Sequence, residues 1–379
     1  MKSTMEILTK LQENSQKNHD EIFTRLYRYL LRPDIYFIAY QHLYSNKGAG
    51  TKGVNDDTAD GFSEQYVTAI IEALRTGSYE PKPVRRTYIQ KKNGKLRPLG
   101  LPVFADKLVQ EAIRMILEAI YEPIFSIYSH GFRPGRSCHT ALAMIKHEFT
   151  GAKWFIEGDI KGCFDNIDHS TLIGVLNRKI KDARFLNLIR MFLKSGYMED
   201  WGFHETYSGC PQGGIISPIL ANIYLNELDR YITQLKKEFD HGYNPRNFTE
   251  EYNTIRHKRD EYRDGTGAWG VPYETKKGKR RMMFAKYSDC KGKDLTEKVP
   301  DLAYRYSHNT TSFEERLKAK VCEVCGCTDS DSYEIHHVNK VKNLKGKADW
   351  EKVMLAKRRK TIVVCHKCHM RIHHGTKTE

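Results

Sequence analysis

The sequence predicts an α+β protein, and three observations predict that class. Apolar residues recur at helical spacing over most of the first 240 positions. One basic stretch, residues 84–101, alternates apolar and polar side chains around an Asn-Gly pair, as a two-stranded ribbon does. Two Cys-x-x-Cys pairs near the C-terminus frame a further small segment with metal-ligand spacing.

In chain order, residues 5–45 carry helical periodicity broken at Arg32-Pro33, since proline removes a backbone donor and disfavours helix just before it. Asn46-Lys-Gly-Ala-Gly-Thr-Lys-Gly53 is a basic turn that either approaches a phosphate backbone or simply connects helices. A helix is expected over 63–74, ended by Thr76-Gly77. After the ribbon, residues 106–120 place Leu108, Ile113, Ile116 and Ile120 on one helical face. Phe132-Arg-Pro-Gly-Arg136 is a second basic turn before a helix starting near Ser137. Further helices are expected over 172–193 and 219–239, and residues 240–267 read as linker or exposed helix.

A length of 379 residues allows two or three domains, and 40% hydrophobic with 11% aromatic content excludes a disordered chain. No apolar run is long enough to span a bilayer and the first 20 residues lack a signal-peptide core, so the expected location is cytoplasmic, with no membrane partner. The net charge is +15, of which about +11 falls in residues 271–379. Lys82, Arg85, Arg86, Lys91, Lys92, Lys95 and Arg97 have no acid among them. Alone that is a solvated basic face; with the motifs below it favours a nucleic-acid partner.

Residues 154–156 read as a short buried strand that presents Asp159, followed by Asp165, Asn166 and Asp168. A carboxylate leaving a buried strand is how an enzyme holds Mg²⁺ beside phosphate oxygens. Two-metal phosphoryl transfer needs further carboxylates facing the first. The only Asp-Asp pair, Asp56-Asp57, lies in an N-terminal turn, and Tyr287-Ser-Asp-Cys290 offers one acid.

Four blocks then appear in order: Lys91-Lys-Asn-Gly-Lys-Leu-Arg-Pro-Leu-Gly100, His130-Gly-Phe-Arg-Pro-Gly-Arg-Ser137, Glu157-Gly-Asp-Ile-Lys-Gly-Cys-Phe-Asp165 and Pro211-Gln-Gly-Gly214. Together they resemble a group II intron reverse transcriptase/maturase. The resemblance implies a partial right-hand polymerase, fingers and part of the palm, over residues 1–240. It implies Asp159 as a catalytic metal ligand, the Ile160 carbonyl at the same metal, and Phe164 as the screen for the incoming sugar. Arg85 and Arg97 would sit near the triphosphate and Gln212 near the template, with Lys91, Lys92, Arg133 and Arg136 on nucleic acid. Phe164 is otherwise a core residue and Gln212 a turn amide. The family's Tyr-x-Asp-Asp block is missing. Residues 265–281 instead resemble the DNA-binding region that follows the thumb, which makes 241–313 a linker and basic DNA-binding segment. An internal deletion near residues 256–263 would remove the thumb and maturase domain, and RNA-directed DNA polymerase activity with them.

Cys322-x-x-Cys325 and Cys365-x-x-Cys368 can each chelate from a tight turn, and four thiolates close a structural Zn²⁺ site; Cys327 is left as a spare. A redox pair is the rival reading. His369 and His373, four apart on a helix, project from one face and can share a cation. Adjacent His336 and His337 on a strand point oppositely, so one can ligate metal while the other takes a proton from water. The rival there is a zinc knuckle with incidental histidines. Residues 314–379 resemble an HNH endonuclease, the ββα-metal nuclease attached to many group II intron proteins. That implies His337 as general base and His336, His369 and His373 at a catalytic Mg²⁺ or Mn²⁺. The family's middle Asn is replaced in the segment 360–362. Lys357, Arg358 and Arg359 lie on a basic helix that either faces DNA phosphates or is simply solvated.

The expectation is a nucleoid-associated DNA nickase working with intron RNA at a target DNA, alone, as a homodimer or with a full-length homologue. The alternatives are a non-catalytic maturase-like RNA binder and an inactive remnant.

Overall fold

The computed structural model describes residues 2–46, 48–90, 94, 96–149, 158, 160, 162–210, 213–240, 270–275, 278–283 and 312–374, with backbone only over 235–240, 270–275, 278–283 and at Ser312. In order these form α1 (Thr4–Lys17), a 3-10 turn (Tyr27–Leu31), α2 (Pro33–Tyr44), β1 (Phe62–Ser63), α3 (Glu64–Thr76), β2 (Val84–Gln90), β3 (Leu96–Leu101) and α4 (Phe104–Tyr121). There follow α5 (Cys138–Glu148), α6 (His169–Lys179), α7 (Ala183–Leu193), β4 (Tyr197–Glu199), β5 (Gly202–His204) and α8 (Ser217–Asp240). The hairpin β6 (Gly270–Thr275) and β7 (Gly278–Met283) precedes α9 (Ser312–Lys318), β8 (Tyr333–His337), α10 (Asp349–Lys357), β9 (Thr361–Cys365) and α11 (His366–His374). Among the described residues no helix is long and apolar enough to cross a membrane.

The chain divides into two units, one of residues 1–125, 161–226 and 305–379, the other of residues 126–160 and 227–304. The core of the first is α4, which is buried on nearly every side. A helix buried all round must satisfy each polar side chain it carries. Asp106 accepts from the Tyr79 hydroxyl (2.5 Å) and the Lys82 amide (2.8 Å). Lys107 donates to the Gly48 and Thr51 carbonyls, so the Gly-rich turn is a clasp on this helix. Gln110 accepts from the Ile215 amide at 2.8 Å, tying the block after Gly209 to the core. Glu111 pairs with His42 and Arg114, each at 2.7 Å, and Glu118 pairs with Arg114.

The expected ribbon forms, β2 antiparallel to β3, within a four-stranded sheet ordered β3-β2-β4-β5. Its register sets Arg85 opposite Leu101 and Arg97 opposite Ile89, so both arginines share one face. The single helix expected over 172–193 is two. Phe23 bridges Ile180, and Asp182 caps α7 through the Phe185 amide while accepting from the Tyr27 amide at 2.8 Å. These distant partners break the helix where local periodicity does not.

A three-stranded sheet, ordered β1-β8-β9, carries the C-terminal module. Phe62 pairs with Ile335 and Ser63 with Glu334. Phe62 stacks on Tyr40 at 4.2 Å, and Phe313 of α9 meets Tyr40 edge-on at 5.1 Å. The module thus shares its apolar core with α2. In the second unit, Arg133 donates to the Ser126 and Ser129 carbonyls and Arg136 to the Ile127 carbonyl, each at 2.7 Å, which folds the basic turn before α5.

Candidate metal centres

β8 and β9 pair antiparallel, His336 opposite Ile362 and His337 opposite Thr361, and α11 continues directly from β9. Side-chain alternation on β8 sends His336 and His337 to opposite faces. On α11, His369 and His373 lie one turn apart, with ring nitrogens 3.2 Å from each other. His336 meets both rings, with centroids 5.6 and 5.4 Å away. The three histidines expected to converge do so.

A fourth group joins them. Asp60, on the loop before β1, places its carboxylate 3.1 Å from His336 Nδ1, 3.1 Å from His369 Nε2 and 2.8 Å from His373 Nε2. Ligand atoms of all four residues lie within 4.8 Å of one another. Sequence reasoning missed Asp60: it precedes His337 by 277 residues and belongs to no metal-binding spacing.

The donor set fits a cation. His336 is buried, and neither of its ring nitrogens has a hydrogen bond of acceptable geometry, although Nδ1 faces the Asp60 carboxylate. An orphaned buried imidazole is costly unless something coordinates it. Glu334 accepts from His369 Nδ1, which turns Nε2 inward, the carboxylate–histidine arrangement of metal sites. Burial raises the Asp60 carboxyl, but contacts with His336 and His369 outweigh it and hold the group well below its usual range. Burial lowers His369, but Asp60 and Glu334 reverse this and push it up to about 9. His373 is lowered by burial, despite Asp60.

His337 is only 8% exposed. Its Nε2 lies 3.0 Å from the Tyr44 carbonyl. A carbonyl only accepts, so that nitrogen carries the hydrogen and Nδ1 keeps the lone pair. Burial lowers the His337 pKa, partly offset by the Tyr44 bond, so the ring is neutral near pH 7.

The thiols gather on the other side of the module. Cys325 donates from its amide toward Cys322 Sγ, and Gly326, at φ +76°, closes the knuckle with its amide on the Cys322 carbonyl. The sulfurs of Cys322, Cys325, Cys327 and Cys365 lie within 4.8 Å of one another. Cys325 and Cys365 sulfurs are 3.8 Å apart. A tetrahedron of sulfurs about 2.3 Å from zinc has edges of roughly 3.8 Å. Cys368 is buried beside them, where burial and hydrogen bonding with Cys325 and Cys365 raise its thiol. Cys327, set aside on sequence, is therefore inside the cluster; five thiols surround a site that needs four.

The polymerase-like blocks are only partly described. Asp159, Lys91, Lys92 and Gln212 lie outside the described residues, as does most of the 241–313 segment. Ile160 is exposed, and Phe164 is half-buried against the core. The Phe164 carbonyl accepts from the Cys210 amide and that of Ile167 from the Gly209 amide, both at 2.7 Å, so the third and fourth blocks clamp together. Gly209 and Gly213 have positive φ, and a Cβ on Gly213 would lie 2.1 Å from the Gly100 carbonyl oxygen. Asp168 caps α6 through the Thr171 amide. Arg85 holds the Lys52 and Gly53 carbonyls, and Arg97 stays exposed on the same face. Lys357 and Arg359 lie 2.9 and 3.8 Å from the Glu323 carboxylate, and Arg358 forms the left-handed cap of α10.

Comparison with known proteins agrees with both halves. The reverse transcriptase (RNA-dependent DNA polymerase) family matches residues 89–243, and the AI2M/AI1M-like HNH endonuclease family matches residues 322–369. The chain is 38% identical over 600 aligned positions to the group II intron-encoded protein LtrA of Lactococcus lactis subsp. cremoris, covering 100% of both. A chain of 379 residues leaves at least 221 of those positions without a counterpart. It is also 49% identical over 240 residues to an uncharacterized 91 kDa protein in the cob intron of Schizosaccharomyces pombe, covering 62% of this chain and 30% of that one. The putative COX1/OXI3 intron 2 protein of Saccharomyces cerevisiae is 36% identical over 304 residues, covering 74% of this chain and 34% of that one. Reverse-transcriptase blocks, a histidine-and-thiol module and a relative aligned from end to end place this chain in the family of group II intron-encoded reverse transcriptase/maturases with an HNH endonuclease domain.

Proposed function

We propose that this chain nicks target DNA for intron mobility through its HNH module, and that its polymerase centre is incomplete. The observation that carries the first part is the convergence of His336, His369 and His373, with His337 next along the same strand and its Tyr44 contact leaving Nδ1 ready to accept a proton. In this reading His337 Nδ1 takes the proton of a water that attacks a backbone phosphorus, and the 3′ oxygen leaves. A Mg²⁺ or Mn²⁺ ion on the three histidines supplies Lewis-acid stabilisation of the phosphate charge. Zinc on Cys322, Cys325 and Cys365, with Cys368 or Cys327 as the fourth thiolate, holds the β8–β9 hairpin in register. The second part rests on the missing Tyr-x-Asp-Asp block: Asp159 has no carboxylate pair to complete a two-metal site, and the alignment's uncovered positions fit an internal deletion.

Supercoiled DNA incubated with the purified chain and Mg²⁺ or Mn²⁺ should be nicked, and His337→Ala should not nick it. Equal cutting by the variant sinks the assignment. Processive primer extension on an RNA template would overturn the polymerase reading. A maturase-like role is the second reading, favoured by the Arg85–Arg97 face of the ribbon. It requires intron RNA to bind more tightly than an unrelated structured RNA, and equal affinities would end it.

A further inference from the structure

Asp60 does not hang from a free loop. The Gly61 amide donates to the Ile335 carbonyl at 3.0 Å, and the Phe62–Ser63 strand then pairs with Ile335 and Glu334. The His337 amide donates to Asp60 Oδ1 at 2.8 Å. Gly61 adopts φ +84°, and a Cβ there would lie only 3.7 Å from His369 Cε1. The chain turns beside the histidines, and the carboxylate is aimed by the strand pairing that follows it and by the His337 amide.

We propose that Asp60 is a fourth protein ligand of the nuclease metal, and that a DNA phosphate reaches the ion by replacing the Asp60 carboxylate. The proposal rests on reading His336, His369 and His373 as that metal's ligands. Four protein donors leave an ion little room for substrate, whereas a catalytic site keeps a position open to it. A carboxylate oxygen and a phosphate oxygen are both hard, anionic ligands, so one can stand where the other will bind. Asp60 also comes from the reverse-transcriptase half of the chain. It reaches the nuclease centre from the turn before β1, whose Phe62 stays stacked on Tyr40, so replacement needs only rotation of the Asp60 side chain. Asp60 also accepts from the His337 amide, so its movement would be felt on the strand that carries the base.

The test uses the full chain and Asp60→Asn, which keeps size and an acceptor for the His337 amide but removes the anionic ligand; Asp60→Ala is the second variant. Equal zinc content confirms that the module is folded in each. Mn²⁺ binding by calorimetry should weaken by at least roughly tenfold, the loss typical of removing even an outer-shell partner of a ligand. The visible absorption of the Co²⁺-loaded protein should change, because it reports the set of ligands around the ion. At saturating Mn²⁺, nicking of supercoiled DNA should become faster. Unchanged Mn²⁺ affinity and an unchanged Co²⁺ spectrum in both variants would overturn the proposal while leaving the three-histidine centre standing. Weakened Mn²⁺ affinity with slower nicking would overturn replacement by phosphate and make Asp60 a permanent ligand. Failure of the unsubstituted chain to bind Mn²⁺ at all would remove the centre itself, and Asp60 with it.

Discussion

The chain carries the signatures of two metal-dependent centres, and they differ in how far apart their ligands lie in sequence. The nuclease draws its three histidines and its thiols from residues 322–373, on two paired strands and the helix that continues from one of them. The polymerase signature depends on Asp159 meeting carboxylates of a later block that this sequence lacks. A centre assembled from neighbouring elements tolerates loss of sequence elsewhere better than one assembled across a large sheet. Yet the nuclease is not self-sufficient either, since β1, Asp60 and the Tyr44 carbonyl all come from the other half.

The largest way to break this comparison is to remove zinc. Structural zinc contributes on the order of 10 kcal/mol of folding free energy in small modules. Chelation, or Cys365→Ser, should abolish nicking and deprotect the β8 and β9 amides in hydrogen exchange while the α4 core stays protected. Retained protection of β8 would mean that β1 and the apolar contacts suffice.

His337→Ala should lower nicking by roughly 10²–10⁴-fold. Mn²⁺ affinity should be unchanged, because His337 faces away from the three histidines; lost affinity would make it a ligand.

Arg114→Ala removes the arginine partner of Glu118 and leaves Glu111 with His42 alone, and each carboxylate side chain is no more than 5% exposed. Removing one partner of a buried ion pair costs about 3–5 kcal/mol, readable as a lower denaturation midpoint. Because Phe313 packs on Tyr40, the nuclease should melt in the same transition. Two separate transitions would show that the halves are only loosely coupled.

The smallest effect concerns Asp106, whose carboxyl is raised from 3.8 to about 6 by burial, against the Tyr79 and Lys82 hydrogen bonds. The folded state keeps this proton to higher pH than the unfolded state does. Asp106 therefore makes stability fall as pH rises from about 4 to about 6, by up to about 2–3 kcal/mol, and adds no slope above that. Asp106→Asn should remove that decline. An unchanged pH profile of the denaturation midpoint would show that the carboxylate is accommodated without penalty.

Much of this was legible in the sequence because it is local. The β2–β3 ribbon announces itself by alternation around Asn93-Gly94, and the histidines and cysteines by strand, helix and knuckle spacing. What was not legible depends on partners far along the chain. Asp60 looks like any turn acid until β1 docks on β8. The break between α6 and α7 is made by Phe23 and Tyr27. Basic residues were the least informative: Arg133 and Arg85 spend hydrogen bonds on backbone carbonyls, and Lys357 lies against Glu323. A positive charge in a sequence does not say which acceptor it will find.

The two-residue strand β1 has one more consequence. It occupies the outer edge of β8, where unpaired amide and carbonyl groups would otherwise invite another extended chain. A nuclease excised as residues 312–374 would expose that edge together with the apolar surface around Ile335 and Phe313, and should self-associate. Grafting residues 57–63 back onto such a fragment would restore the pairing on that edge and return Asp60 to the histidines, but not the α2 surface against which Phe313 packs.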